Sequence, residues 1–236
     1  MSSVVPESIT IKLDDGQTVS GLLQIPAKAR ACYVMAHGAG AGMTHAFLGA
    51  IADGLAEREI ATLRYQFLYM EKGSKRPDQP KLAHAVVRAA VLEAARRLPK
   101  LPLLAGGKSF GGRMTSQAQG ADALPGVIGL VFLGFPLHPA KKPSTERAVH
   151  LQSVAVPMLF LQGTRDDLAD VELLTPLCDD LGRRATLKLF AEADHSFHVP
   201  VRSGRTDAQV RVELLDTIAT WSPALIKRAL TQDQRR

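Results

Sequence analysis

The sequence predicts an α/β fold with a mostly parallel sheet covered by helices on both faces, on three observations. Short apolar runs of strand length recur along its 236 residues, segments with helical spacing of apolar residues alternate with them, and glycine-rich turns follow several of the runs. That length suits one domain, 1–236, with one well-buried core and no separate lid.

Ser8 to Leu13 and Thr18 to Ile25 are β-rich and joined through Asp14-Asp15-Gly16, so the chain is expected to open with a hairpin. Ala31 to Ala36 is apolar throughout, as a strand buried on both faces requires, and runs into His37-Gly38-Ala39-Gly40-Ala41-Gly42. Phe47 to Glu57 reads as a helix and Ile60 to Phe67 as a strand, which completes a βαβ unit. Leu68 to Pro80 is polar, with one Gly and two Pro, and reads as a surface loop. Leu82 to Leu98 is a helix stopped by Pro99, and Leu101 to Ala105 is the next strand. Phe110 to Ala121 is a helix, Val127 to Phe135 a strand, and Pro136, Pro139 and Pro143 mark a loop. Strand Met158 to Gln162, helix Val171 to Leu181, strand Thr186 to Phe190 and a helix around Ala208 to Thr220 close the pattern.

The segment Leu103-Leu104-Ala105-Gly106-Gly107-Lys108-Ser109-Phe110-Gly111-Gly112-Arg113 carries the chemistry. Gly107 and Gly111 flank Ser109 in the G-x-S-x-G spacing of a nucleophile elbow, in which a serine is held on a sharp strand-to-helix turn with its hydroxyl exposed. Gly107-Lys108-Ser109 also ends a Walker A pattern, but the glycine which that loop needs five positions earlier is Pro102, which has no N–H for a phosphate.

A serine hydroxyl needs a base, and the base needs an orienting acid. Asp166 follows the strand Met158 to Gln162, and His195 follows Thr186 to Phe190, giving the chain order Ser109, Asp166, His195. Each sits at the C-terminal end of a strand, where open α/β sheets hold their ligands. Asp167 is the rival acid, and the alternative use of this region has His198 and Asp194 joining His195 as metal ligands, although the H-E-x-x-H arrangement is absent. Two amides are expected to hold an oxyanion: that of Phe110, and one from the loop after the Ala31 to Ala36 strand, with Ala39 the first candidate and Gly40 the second. His37 is expected to order that loop. Lys108 is expected to turn away from Ser109 and pair with Glu71, and Met43 with the 68–80 and 136–143 loops is expected to shape the pocket.

Hydrophobic residues make up 46% and charged residues 22%, an ordinary globular balance that argues against disorder. Met1 to Pro6 lacks the basic start and apolar run of a secretory signal, and Val127 to Leu137 is too short to cross a bilayer, so an unexported, cytoplasmic protein without a membrane partner is expected. Cys32 and Cys178 have no metal-ligand spacing and read as small core residues. The net charge of +6 is dispersed over short clusters at Lys72 to Arg76, Lys141-Lys142, Arg183-Arg184 and Arg235-Arg236, with few aromatics beside them. Solvated surface, not nucleic acid, is the expected use of that charge.

With these residues in place, the chain resembles the α/β-hydrolase superfamily over nearly its whole length. It is most similar to a small dienelactone-hydrolase-like group that includes a testis-expressed vertebrate protein and the hydrolase-like subunit of a histone acetyltransferase complex. The shared pieces are His37-Gly38-Ala39-Gly40, Phe67-Leu68-Tyr69-Met70-Glu71 with Arg76-Pro77-Asp78, the Gly106 to Arg113 elbow, and Gly163-Thr164-Arg165-Asp166. The resemblance implies a serine hydrolase with neither metal nor organic cofactor. Dienelactone hydrolases proper use cysteine where this chain has Ser109, so their specific activity is not carried over. The expected activity is hydrolysis of a small carboxylic ester or thioester, and the alternative is a non-catalytic interaction module on the same fold.

Overall fold

The computed structural model describes residues 4–233, so Met1–Ser3 and the tail pair Arg235-Arg236 lie outside the described residues. Strands β1 (Glu7–Lys12) and β2 (Thr18–Gln24) form the expected antiparallel hairpin. Strands β3 (Ala31–Ala36), β4 (Ile60–Tyr65), β5 (Leu103–Lys108), β6 (Val127–Leu133), β7 (Met158–Gly163) and β8 (Ala185–Phe190) are parallel to one another. β2 joins them antiparallel to β4, in the sheet order β1-β2-β4-β3-β5-β6-β7-β8.

Period-two alternation splits each apolar run between two cores. Cys32, Val34 and Ala36 of β3 face one cluster, built with helices α3 (Pro80–Arg97), α4 (Phe110–Ala121) and α5 (Val171–Leu181). Tyr33 and Met35 face the other, under α1 (Ala46–Ala56) and α6 (Asp207–Asp233). The unbroken hydrophobicity of β3 is therefore the signature of a central strand with helices on both sides. Cys32 and Cys178 are free thiols buried in the first cluster, and burial pushes both pKa values up to about 12.

Three segments differ from the sequence reading. The loop after β4 contains one helical turn, α2 (Leu68–Glu71), whose Leu68 and Tyr69 are buried; its polar composition conceals two core anchors. Glu146–Ser153 forms 3-10 turns that dock Ala148 and Leu151 into the first cluster. Helix α6 continues through Pro223, because Trp221 and Leu225 pack against Gly129 of β6, where an added Cβ would come within 2.8 Å of the Trp221 ring. Tertiary packing there outweighs the loss of one helical hydrogen bond. Among the described residues no helix is long and apolar enough to cross a membrane.

Because β3, β5, β6, β7 and β8 run the same way, the turns that leave them share one edge of the sheet. That edge brings Ala39, Ser109, Gly134, Asp166 and His195 within reach of one another.

Candidate active site

Only Ser109 separates the end of β5 from the start of α4, and it adopts φ 50°, ψ −119°. A non-glycine residue there is strained by about 1–3 kcal/mol, which the surrounding packing must offset. The flanking glycines make the turn possible by close approach. A Cβ on Gly107 would lie 2.1 Å from the Ala36 carbonyl oxygen, and one on Gly111 would lie 2.5 Å from that of His37.

The structure brings the three sequence-predicted side chains together. Ser109 Oγ donates to His195 Nε2 at 2.8 Å, and His195 Nδ1 donates to Asp166 Oδ2 at 2.7 Å. Asp166 has a fully buried side chain, and its Oδ1 accepts from the Leu168 amide at 2.8 Å. Asp167, the rival acid, is exposed. Gln162, at the end of β7, donates to Asp166 Oδ2 while its Oε1 accepts from the Phe135 amide at 2.8 Å. Sequence reading passes over Gln162. Its one visible signal is a polar residue inside an apolar strand.

Asp194 shapes the histidine loop. Its Oδ1 accepts from the amides of Ser196 (2.7 Å) and His198 (2.9 Å), while the exposed His198 ring pairs with Asp207 at 2.9 Å. That pairing raises the His198 pKa and lowers that of Asp207. Among the described residues no group of three His, Cys, Asp or Glu side chains is arranged to hold a metal.

On the opposite wall, His37 is buried and its protons are assigned by its neighbours. Nδ1 donates to the Gly38 carbonyl at 2.7 Å and Nε2 accepts from the Phe67 amide at 3.1 Å. Burial lowers its pKa, so the ring is the neutral tautomer that orders the loop, as expected. Ala39 lines the cleft beside Ser109. The amide of Gly40, the second candidate for the oxyanion, donates to the Tyr69 hydroxyl at 3.0 Å.

Lys108 also departs from expectation. Its ammonium donates to the His195 carbonyl at 2.6 Å, and the side chain borders the cleft beside Ser109. Glu71 instead accepts from the Ser20 amide at 2.6 Å, which fastens α2 to β2. The expected pocket walls change too. The cleft above Ser109, about 420 Å³, takes its apolar wall from Ala39, Ala41, Phe47, Leu48 and Leu168. Met43 and the 68–80 and 136–143 loops do not line it. The second of these loops borders a separate open groove with Asp166 and Asp194, and the first borders a depression around Tyr69 and Asp78.

A second Ser–His contact exists between Ser116 of α4 and His150 of the Glu146–Ser153 turns, 2.7 Å apart. Ser116 is fully buried in regular helix and donates back to the Arg113 carbonyl. Burial and the charges of Arg113 and His84 push the His150 pKa down to about 4, and among the described residues no acid hydrogen-bonds its ring. This pair lacks the strained turn and the orienting acid, and its serine has no access from solvent.

Residues 29–223 match the model of a family described as alpha/beta hydrolase domain. Solved structures with similar folds include an α/β serine hydrolase without lid from Xanthomonas campestris, at 19% identity and TM-score 0.71 over 94% of this chain and 98% of that one. A dienelactone hydrolase from Anabaena variabilis aligns at 18% identity and TM-score 0.74, again over 94% of this chain and 98% of the other. An esterase domain from a Rhodothermus marinus protein aligns at 15% identity and TM-score 0.70, over 92% and 97%.

Proposed function

The chain belongs to the alpha/beta hydrolase domain family, and on that premise we propose that it is a serine hydrolase that cleaves small carboxylic esters or thioesters through an acyl-enzyme on Ser109. The observation that carries this reading is the 2.8 Å contact between Ser109 Oγ and His195 Nε2 at a strained strand-to-helix turn. The serine-hydrolase and esterase descriptions of the structural neighbours support it. A narrower grouping with the testis-expressed protein and the acetyltransferase-complex subunit rests on the sequence motifs alone.

Ser109 Oγ attacks the substrate carbonyl carbon while His195 Nε2 takes its proton, and the carbonyl π electrons move onto oxygen. The Asp166 carboxylate holds the imidazole with Nε2 free to accept, and stabilises the imidazolium that forms. The amides of Phe110, in the first turn of α4, and Ala39 receive the oxyanion. Collapse of the tetrahedral species breaks the ester C–O or thioester C–S bond, and the imidazolium protonates the departing alkoxide or thiolate. Water then repeats the sequence on the acyl-enzyme, releasing the acid and Ser109. A cleft of about 420 Å³ with an apolar wall favours a small acyl group.

The test is labelling with a fluorophosphonate probe alongside hydrolysis of 4-nitrophenyl acetate. Labelling of the wild-type chain but not of Ser109→Ala is expected; labelling that persists in Ser109→Ala, or its absence from both, refutes the assignment.

A further inference from the structure

The residue between Gly107 and Ser109 is a half-buried lysine that borders the cleft and for which acyl transfer as described has no use. Its stem runs past the oxyanion-side loop, where a Cβ on Gly38 would lie 3.5 Å from Lys108 Cγ. Its ammonium reaches across to the turn after β8 and donates to the His195 carbonyl at 2.6 Å. It lies 5.8 Å from the centre of the Phe197 ring, two residues further along the same turn. Phe197 is itself pinned by stacking on Phe47 and by edge contact with Phe190. The floor beneath this contact is Gly134, at φ 72°, where a Cβ would stand 3.1 Å from Lys108 Nζ and 3.4 Å from His195 Nδ1.

The bonds that Asp194 makes act within the histidine turn, and the Lys108 bond joins that turn to the end of β5. Glu192 and Phe197, on either side of the histidine, both hold positive φ, at 60° and 63°, and the His195 carbonyl lies outside any strand or helix ladder. A charged donor makes a shorter and stronger bond to a carbonyl than a neutral one does.

We propose that Lys108 is a positioning residue of the site: its ammonium ties the nucleophile turn to the histidine turn through the His195 carbonyl, and so holds the imidazole in line between Asp166 and Ser109. This rests on Ser109 and His195 being nucleophile and base. The groups that face the ammonium are Asp166, from the turn after β7, and Asp194 and His195, from the turn after β8. Burial outweighs the attraction of the two carboxylates and pushes the Lys108 pKa down to about 8. The tie is therefore charged at neutral pH and weakens in mildly alkaline solution.

The experiment measures fluorophosphonate labelling rate, and kcat and KM for 4-nitrophenyl acetate corrected for spontaneous hydrolysis, between about pH 6 and about pH 10. Full-length wild type, Lys108→Arg and Lys108→Met are compared, with circular dichroism to establish folding. Lys108→Met is expected to lose on the order of ten- to a hundredfold in kcat and labelling rate at neutral pH, with KM little changed. Wild type is expected to decline above about pH 8. Lys108→Arg is expected to recover part of the lost rate and to show no such decline, because guanidinium stays charged. A folded Lys108→Met with wild-type kcat overturns the proposal. Should Lys108→Met fail to fold, an alkaline decline in Lys108→Arg identical to that of wild type overturns it. Wild type that resists labelling altogether brings down the nucleophile assignment and the tie with it, whereas labelling that is indifferent to residue 108 brings down the tie alone.

Discussion

The Gly40 amide donates to the Tyr69 hydroxyl at 3.0 Å, so a side chain from a polar, loop-like segment holds the turn that faces Ser109. The Tyr69 amide in turn donates to Asp78 Oδ2 at 3.1 Å, which keeps α2 in place. Tyr69→Phe removes one hydrogen bond and is expected to cost about 0.5–1.5 kcal/mol. If that bond sets the position of Ala39, kcat falls several-fold while KM stays near its original value, measured by steady-state hydrolysis at constant fold content. An unchanged kcat would show that the Ala39 turn holds its place without Tyr69.

Ser109 and His195 act as one unit in the proposed mechanism, so their removal is non-additive. Ser109→Ala and His195→Ala are each expected to abolish nearly all ester hydrolysis, a loss reaching about 10⁶-fold, with the double variant little worse. Multiplicative losses in kcat would refute the shared mechanism.

Gln162 bridges the Phe135 amide and the Asp166 carboxylate inside the protein. Gln162→Leu leaves both without that partner in a buried setting, at about 1–3 kcal/mol. In a chain of this size that corresponds to a fall in Tm of about 2–12 °C. Activity falls with it if Gln162 aligns Asp166, whereas a lower Tm with full kcat would make the glutamine purely structural.

His150 makes stability depend on pH. Its folded-state pKa is near 4, while an unfolded histidine titrates near its ordinary value of 6.5. The unfolded chain therefore binds more protons between those values, and the contribution is complete above about pH 6.5 and lost progressively toward pH 4. Urea midpoints for wild type should fall across that window, and His150→Gln should show a shallower fall. Parallel curves would remove His150 as the cause.

Two glycine substitutions should behave oppositely. Gly107→Ala drives a Cβ to 2.1 Å from the backbone oxygen of Ala36, in the middle of the sheet, and is expected to prevent accumulation of folded protein. Gly40→Ala meets no atom within 4 Å and suffers only the cost of φ 73°, about 1–2 kcal/mol. Soluble yield and thermal unfolding separate the two outcomes.

The alternation of strands and helices, the bounds of α4 and α5, and the trio Ser109, Asp166 and His195 are all legible in the sequence. Each depends on short-range rules: apolar period, glycine spacing around a turn, and a polar residue placed just past a strand end. Such rules act within a few residues, and a parallel sheet then carries every strand end to the same edge, so the trio converges once the strands pair.

Only the tertiary structure decided which groups at that edge are already engaged. That the Gly40 amide belongs to Tyr69, that Lys108 grips His195 instead of Glu71, and that α1 supplies the cleft wall are contacts between residues far apart in the chain. No local pattern encodes them, because a lysine in an elbow satisfies its charge with whatever carbonyl or carboxylate the packing brings within reach. The same reason separates Ser109 from Ser116. Each has a histidine at hydrogen-bond distance, and the fold gives only the first a strained turn, an acid behind its histidine and an open cleft.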